Sequence, residues 1–341
     1  MMDAAAAEQA RKRWDQLTKP QGSLGRLEEL GIRLASITGR PIPSLERKLI
    51  FTAAGDHGVV QEGVSAYPQS VTVQMVLNFL RGGAGINVLA RYAGAEVKVI
   101  DAGVAGDLDH APDLVRCRIR PGTGNMAREA SLSRDEAQRI VAAGEAIFEQ
   151  AHQEKPIGLA GLGDMGIGNT TAASALTAVF TGQPVSQITG RGTGLADVQR
   201  FHKVEVIQQA LDLHRPDPKD PLGCLAAVGG LEIGCLAGIC LAAARARVPV
   251  VLDGFITTAA AVVAERIDPK VRDCLIASHR SAEPGHSALL AHLGLEPLLD
   301  LQLRLGEGTG AALAFLLLEA SVRLLSEMAT FDEAGVDRKK E

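Results

Sequence analysis

Aromatic residues are scarce: one Trp, two Tyr and eight Phe in 341 residues. A surface built on aromatic stacking is not expected from so few rings. A basic excess is missing too. The formal net charge is −5, whereas nucleic-acid binders usually carry a strong positive surplus. The one basic run, Arg338-Lys339-Lys340, reads as a solvated tail. There is no C-x-x-C pair, and the five cysteines (117, 224, 235, 240, 274) are odd in number. That tells against a disulfide framework and leaves reduced thiols filling a core, as expected of a cytoplasmic protein. The opening MMDAAAAEQARKRWDQL lacks the apolar core of a signal peptide. The most membrane-like stretch, Leu222 to Ala244, contains Glu232 and several glycines. A buried helix is expected there, not a span of roughly 20 apolar residues.

What the chain does have is small and apolar. Hydrophobic residues make up 46% and there are 37 glycines, enough for one large domain or two modest ones. Residues 3 to 38 read as helical, interrupted at Lys19-Pro20-Gln21-Gly22-Ser23, with Ser23 a candidate cap for a helix over Leu24 to Thr38. Short apolar runs then alternate with helical stretches. The runs begin near Lys48, Val97, Ile157, Val248 and Asp273, and each stops at Gly, Asp, Ser or His. The helical stretches are Ser70 to Tyr92, Ser133 to Gln150, Thr170 to Phe180 and Thr257 to Glu265. Such alternation predicts a doubly wound, Rossmann-like α/β fold, a parallel sheet with helices on both faces. Ligands in such folds bind outside the carboxyl ends of the strands, where the polar clusters fall. The apolar run from Ala311 to about Met328 is expected to join the N-terminal helices. The predicted organisation is an α/β domain over 45–305 carrying the active site, and a small helical subdomain of 1–44 with 306–341.

GLGDMGIGNTT, residues 161–171, is the densest glycine motif. From Gly163 it fits a P-loop with Asn169 in place of Lys, and from Gly161 it fits G-x-G-x-x-G. Glycines between a strand and a helix let backbone N–H groups approach an anion. Thr170 and Thr171 are candidate caps, and a plain strand-to-helix turn fits the same residues. A dinucleotide site needs an acid about 20 residues further on; TGQPVSQITG, 181–190, has none. The missing Lys tells against nucleoside triphosphates. GRGTG, 190–194, holds Arg191 and Thr193 and with Lys203 can bind a phosphomonoester.

SHRSAEPGH, 278–286, offers three readings. A metal site is disfavoured, because His279 and His286 lack i, i+4 spacing and no H-E-x-x-H occurs. A Ser nucleophile lacks its G-x-S-x-G elbow. A hydroxyl-and-backbone ligand loop remains, beside a helix capped at Ser281. In RLGEGTG, 304–310, Glu307 is either a general base made stronger by apolar walls or a solvated turn residue. In AAGDHGV, 53–59, Asp56 either orients His57 or caps a turn.

Taken together, these stretches resemble one family, nicotinate-nucleotide–dimethylbenzimidazole phosphoribosyltransferase. The matching segments are LTKPQGSLGRLEELG, AAGDHGVVQEGVSAYPQSVTVQMVLNFLRGGAGINVLAR, GDMGIGNTT, GRGTG, LDGFITTAAAV, SHRSAEPGH and LRLGEGTGAALA, in order from residue 17 to about 314. The resemblance implies transfer of the 5-phosphoribosyl group of nicotinate mononucleotide to 5,6-dimethylbenzimidazole, with no metal or other cofactor. It makes Glu307 the catalytic base. A second family carboxylate, Glu in the G-E-M-G-I-G-N-T-T loop, is Asp164 here, one methylene shorter. Phosphate would be held by the backbone of Gly192 and Gly194 with Lys203 and Ser281. The benzimidazole pocket would use Ser70 and Leu305, and the mononucleotide cradle Gly166, Gly168, Asn169 and Thr170. The resemblance also implies a homodimer with small-molecule substrates and neither nucleic acid nor membrane as partner. The rival classes are a NAD-dependent oxidoreductase and a non-catalytic nucleotide-binding protein.

Overall fold

Side chains of a strand point alternately to opposite faces, and here both sets are apolar. The computed structural model describes residues 2–337 apart from 193 and 195. Thr193 and the Arg338-Lys339-Lys340 run lie outside the described residues. Among the described residues six strands form: β1 Lys48–Gly55, β2 Glu96–Gly103, β3 Val115–Arg116, β4 Leu159–Met165, β5 Val250–Leu252 and β6 Leu275–Ala277. All pair in parallel, in the order β3-β2-β1-β4-β5-β6. In β1, Leu49, Phe51 and Ala53 join one apolar cluster, and Ile50 and Ala54 join another. Helices Arg134–Glu154, Asn169–Thr181, Leu231–Arg245 and Phe255–Ile267 build the first cluster. Arg26–Thr38, Ser70–Leu80, Gly85–Ala93 and Thr309–Glu327 build the second. A parallel sheet covered on both faces is a doubly wound α/β fold.

Local signals account for several element ends. Ser133 accepts from Glu136 N–H and Glu136 accepts from Ser133 N–H, a capping box that opens Arg134–Glu154. Other ends differ from the sequence reading. Ser70 to Tyr92 is two helices, separated at Gly82, which takes φ 76, and Gly83. Leu222 to Ala244 is also two, Pro221–Val228 and Leu231–Arg245, separated at Gly229 and Gly230. Ser23 caps nothing: Gly25 precedes Arg26–Thr38, and Glu28 reaches back to Leu24 N–H at 2.9 Å. The short edge strand β3 had no signal in the sequence, because two residues are too few to show a period.

Among the described residues only Thr309–Glu327 has the length and composition to cross a membrane. Here its Ala311, Phe315 and Leu318 are buried in the second cluster with Ile50 and Val251. Near its other end Leu325 joins Trp14, Leu17 and Ala35 in a small separate cluster.

The strand order reverses between β1 and β4, which opens a crevice at their carboxyl ends. There the two exit loops touch. A Cβ on Gly166 would stand 2.2 Å from Gly55 O, so the approach requires glycine.

Candidate active site

Three acids converge at this end of the sheet. Asp164 is near the end of β4, Asp253 follows β5, and Glu307 precedes Thr309–Glu327. All three are buried. Glu307 takes φ 66 between Gly306 at φ 81 and Gly308 at φ 102. Glycine adopts that left-handed conformation freely, while Glu does so under strain. Tertiary bonds hold the turn: Glu307 N–H donates to Asp164 O at 3.2 Å, and Thr52 Oγ1 donates to Glu307 O at 2.9 Å. A Cβ on Gly163 would come within 2.1 Å of that same carbonyl oxygen.

Glu307 Oε2 accepts from Ile86 N–H at 3.0 Å, in the first turn of Gly85–Ala93. Burial pushes the Glu307 carboxyl above its ordinary pKa; the Ile86 N–H opposes this and the nearby Asp253 charge adds to it. Burial pushes Asp164 well up, and Asp253, Glu232 and Glu307 add to that, against a 2.9 Å hydrogen bond from Asn169 Nδ2.

A cavity of about 100 Å³ lies against Asp164, with Asn169, Gly192, Ser281, Leu305 and Gly306 also in its wall. Glu307 lies just behind that wall. A Cβ on Gly85 would meet Leu305 Cδ2 at 3.0 Å and Glu307 Oε2 at 3.3 Å. An adjoining cavity of about 570 Å³ shares Gly192, Glu283 and Arg304 with the first and is also lined by Arg191, Gly194 and Arg200. Lys203, from helix Asp197–His214, is buried beside them and donates to Thr170 Oγ1 at 2.6 Å. Burial brings its pKa down to about 8, with Glu283 opposing. Glu283 is itself pushed up by burial, with Lys203 opposing, and its Oε2 has no hydrogen-bond partner among the described residues.

A model of the phosphoribosyltransferase family matches residues 1–336. Over 335 residues the chain is 54% identical to the nicotinate-nucleotide–dimethylbenzimidazole phosphoribosyltransferase of Geobacter sp. (strain M21), covering 98% of this chain and 96% of that one. The counterpart in Chloroflexus aggregans is 55% identical over 340 residues, covering 100% and 96%. The crystal structure of CobT from Thermus thermophilus matches with a TM-score of 0.94 at 51% identity, covering 98% of this chain and 100% of that one. The chain belongs to the nicotinate-nucleotide–dimethylbenzimidazole phosphoribosyltransferase family.

For a member of that family, the sequence-derived site residues fall as follows. Asp164, Gly166, Asn169, Thr170, Gly192, Ser281 and Leu305 wall the small cavity. Gly168 and Lys203 line a narrow extension of about 30 Å³ that shares Gly166, Asn169 and Gly192 with it. Gly194 lines the larger cavity. Ser70 is exposed in the first turn of Ser70–Leu80 and lines neither cavity nor the extension. The loop already commits part of its backbone: Asn169 N–H bonds Gly166 O and Thr171 N–H bonds Gly168 O within it, and Ile167 N–H bonds Thr72 Oγ1 on helix Ser70–Leu80.

Several pairings could not be read along the chain. Asp56 does not orient His57. Asp56 accepts from Thr72 Oγ1 at 2.7 Å and Ala105 N–H at 2.8 Å. His57 Nε2 instead lies 2.8 Å from Glu232 Oε1, both side chains fully buried. Burial by itself would lower the His57 pKa, but attraction to Glu232 and the hydrogen bond with it leave the value raised. Glu232 did carry a signal, as the lone acid in an apolar stretch, since a buried charge needs a partner. His286 Nδ1 accepts from Ser281 N–H at 2.9 Å, so Nε2–H faces Thr258 Oγ1 at 3.0 Å. Burial holds this neutral imidazole down to about 3, helped by His279 and Arg280. It ties the 278–286 segment to helix Phe255–Ile267. Asp253 was missed as a site residue; its sequence signal was an acid ending a strand just before glycine.

Proposed function

We propose that the protein joins nicotinate mononucleotide to 5,6-dimethylbenzimidazole, releasing nicotinate and forming α-ribazole 5′-phosphate, with Glu307 as general base. The observation that carries this is Glu307 itself: a buried carboxylate of raised pKa, fixed beside a cavity at the carboxyl ends of the strands. Nicotinate departs from a pyridinium, so its ring nitrogen leaves neutral and needs no acid. One benzimidazole nitrogen attacks the anomeric carbon from the opposite side, which inverts it to the α configuration. The other ring nitrogen must then lose its proton, and one carboxylate suffices to take it. Such assistance is worth roughly 10² to 10⁴ in rate, and aligning both substrates supplies much of the remainder.

In this reading Lys203 provides the cation for the single phosphate, with Ser281 and the backbone of Gly192 and Gly194. The 166–170 loop cradles the rest of the mononucleotide, so it dispenses with a P-loop lysine. Leu305 and Ser70 belong to the acceptor pocket; Leu305 stands over Gly85 beside Glu307, while Ser70 is more remote. Asp164 keeps the loop's shape through Asn169. A cytoplasmic homodimer fits the free cysteines and exposed Tyr92, Val198 and Phe201. The division into 45–305 and 1–44 with 306–341 puts Glu307 at the junction of the two units. The test is mass spectrometry of products from nicotinate mononucleotide mixed with a panel of benzimidazoles and adenine. Equimolar nicotinate and ribazole phosphate are expected; absence of turnover with every base would refute the reading.

A further inference from the structure

The helix Thr309–Glu327 begins without a cap of its own. Its N-cap residue is Gly308, which has no side chain to accept from the first amides. Those amides need acceptors, because the first turn of a helix leaves its N–H groups unpaired. Asp253 supplies them from the end of β5. Its Oδ2 accepts from Gly308 N–H at 3.0 Å and its Oδ1 from Gly310 N–H at 2.6 Å. The two bonded amides lie one and three residues after Glu307. A negative group there also meets the positive end of the helix.

We infer that Asp253 is a positioning residue for the transfer reaction, gripping the turn on which Glu307 rides so that the base keeps its strained backbone and its aim. This rests on Glu307 being the base. Glu307 at φ 66 would relax toward ordinary backbone angles were the turn released. Both carboxylate oxygens of Asp253 are committed to amides of the turn, so it acts through Glu307 rather than on substrate. Its own place is fixed. Ser278 Oγ donates to Asp253 O at 2.8 Å, and His279 Nε2 lies 3.7 Å from Oδ1. Gly310 lets the three meet, since a Cβ there would stand 2.1 Å from His279 Cδ2 and 2.8 Å from both Asp253 Oδ1 and Ser278 Oγ.

The charged groups around Glu307 are few. Asp253 faces it from β5 and Asp164 from β4, with Glu232 beyond Asp164 and His279 beyond Asp253. Helix Gly85–Ala93 contributes the Ile86 N–H, and Arg304 is exposed at the cavity rim. Asp253 is thus the near negative charge whose removal makes Glu307 easier to ionise.

Two variants test this in the full-length protein. Asp253→Ala removes both acceptors. Its kcat should fall about 10²-fold, the scale of a misplacement near 1 Å, while calorimetric binding of nicotinate mononucleotide and the melting curve stay those of a folded protein. Asp253→Asn keeps one acceptor and removes the charge, so the acidic limb of its kcat/KM profile should move to lower pH. A residue that only held the fold together would lower the melting temperature and leave kcat of the folded Asp253→Ala variant at the wild-type value. Glu307→Gln runs alongside. If Glu307→Gln turns over at the wild-type rate, the base assignment fails and this inference with it. If Glu307→Gln turns over at least about 10²-fold more slowly, while Asp253→Ala keeps wild-type kcat or the Asp253→Asn profile superposes on wild type, the inference alone is overturned. Should Asp253→Ala not fold, the Asp253→Asn profile decides. If neither folds, Asp253 is a folding residue and the inference is wrong.

Discussion

Replacing His57 with Ala strips a partner from a carboxylate that has no access to water. Neither His57 nor Glu232 is exposed, and Glu232 Oε2 already lacks a hydrogen bond among the described residues. Removing one member of such a buried pair costs about 3–5 kcal/mol, because the other charge is left uncompensated. Unfolding entropy near 2.1 cal/mol/K per residue, taken over 341 residues, amounts to about 0.7 kcal/mol/K. A loss of about 4 kcal/mol therefore lowers Tm by about 6 °C. Glu232→Gln keeps an acceptor for the imidazole and removes the charge, so it should cost less. The double variant should cost less than the sum of the singles, as expected of directly coupled residues. The pH dependence has a definite sign. The folded pKa of His57 lies above its unfolded value, so its contribution is fully present below about pH 6.5 and disappears as pH rises through the folded value. Scanning calorimetry across that range should show the gap between wild type and His57→Ala narrowing as pH rises. A gap under about 1 °C, or one that widens with pH, would refute the reasoning.

Glu307→Gln should lower turnover at least about 10²-fold with mononucleotide binding intact; steady-state kinetics and calorimetry together check both halves. Lys203 titrates at about 8 in the free protein and loses its charge as pH rises through that value. The Kd for nicotinate mononucleotide should accordingly rise across that range, and Lys203→Met should bind weakly with a flat profile; a pH-independent wild-type Kd contradicts the assignment. Gly163→Ala forces a methyl to within 2.1 Å of Glu307 O. Overpacking of that kind costs about 1–3 kcal/mol, and kcat should fall more than KM changes. Wild-type kinetics in that variant would show that the turn tolerates displacement.

The sequence by itself determined the α/β alternation, the position of the glycine loops and the start of Arg134–Glu154. Each depends on residues within one or two turns of one another: apolar runs of strand length, Gly next to Gly, Ser133 three residues before Glu136. It also marked Glu307, through the glycines on either side. Only the tertiary structure decided what those residues meet. Asp253 reaches Gly308 across 55 positions and His57 reaches Glu232 across 175. Such pairs follow from strand order and from which loops share a crevice, and no local pattern encodes either. Buried charges make the difference physical. In an extended chain Glu232 and Asp253 are ordinary solvated acids. They acquire fixed partners, and Asp253 its hold on a strained turn, only once the sheet has brought the carboxyl ends of β1, β4 and β5 side by side.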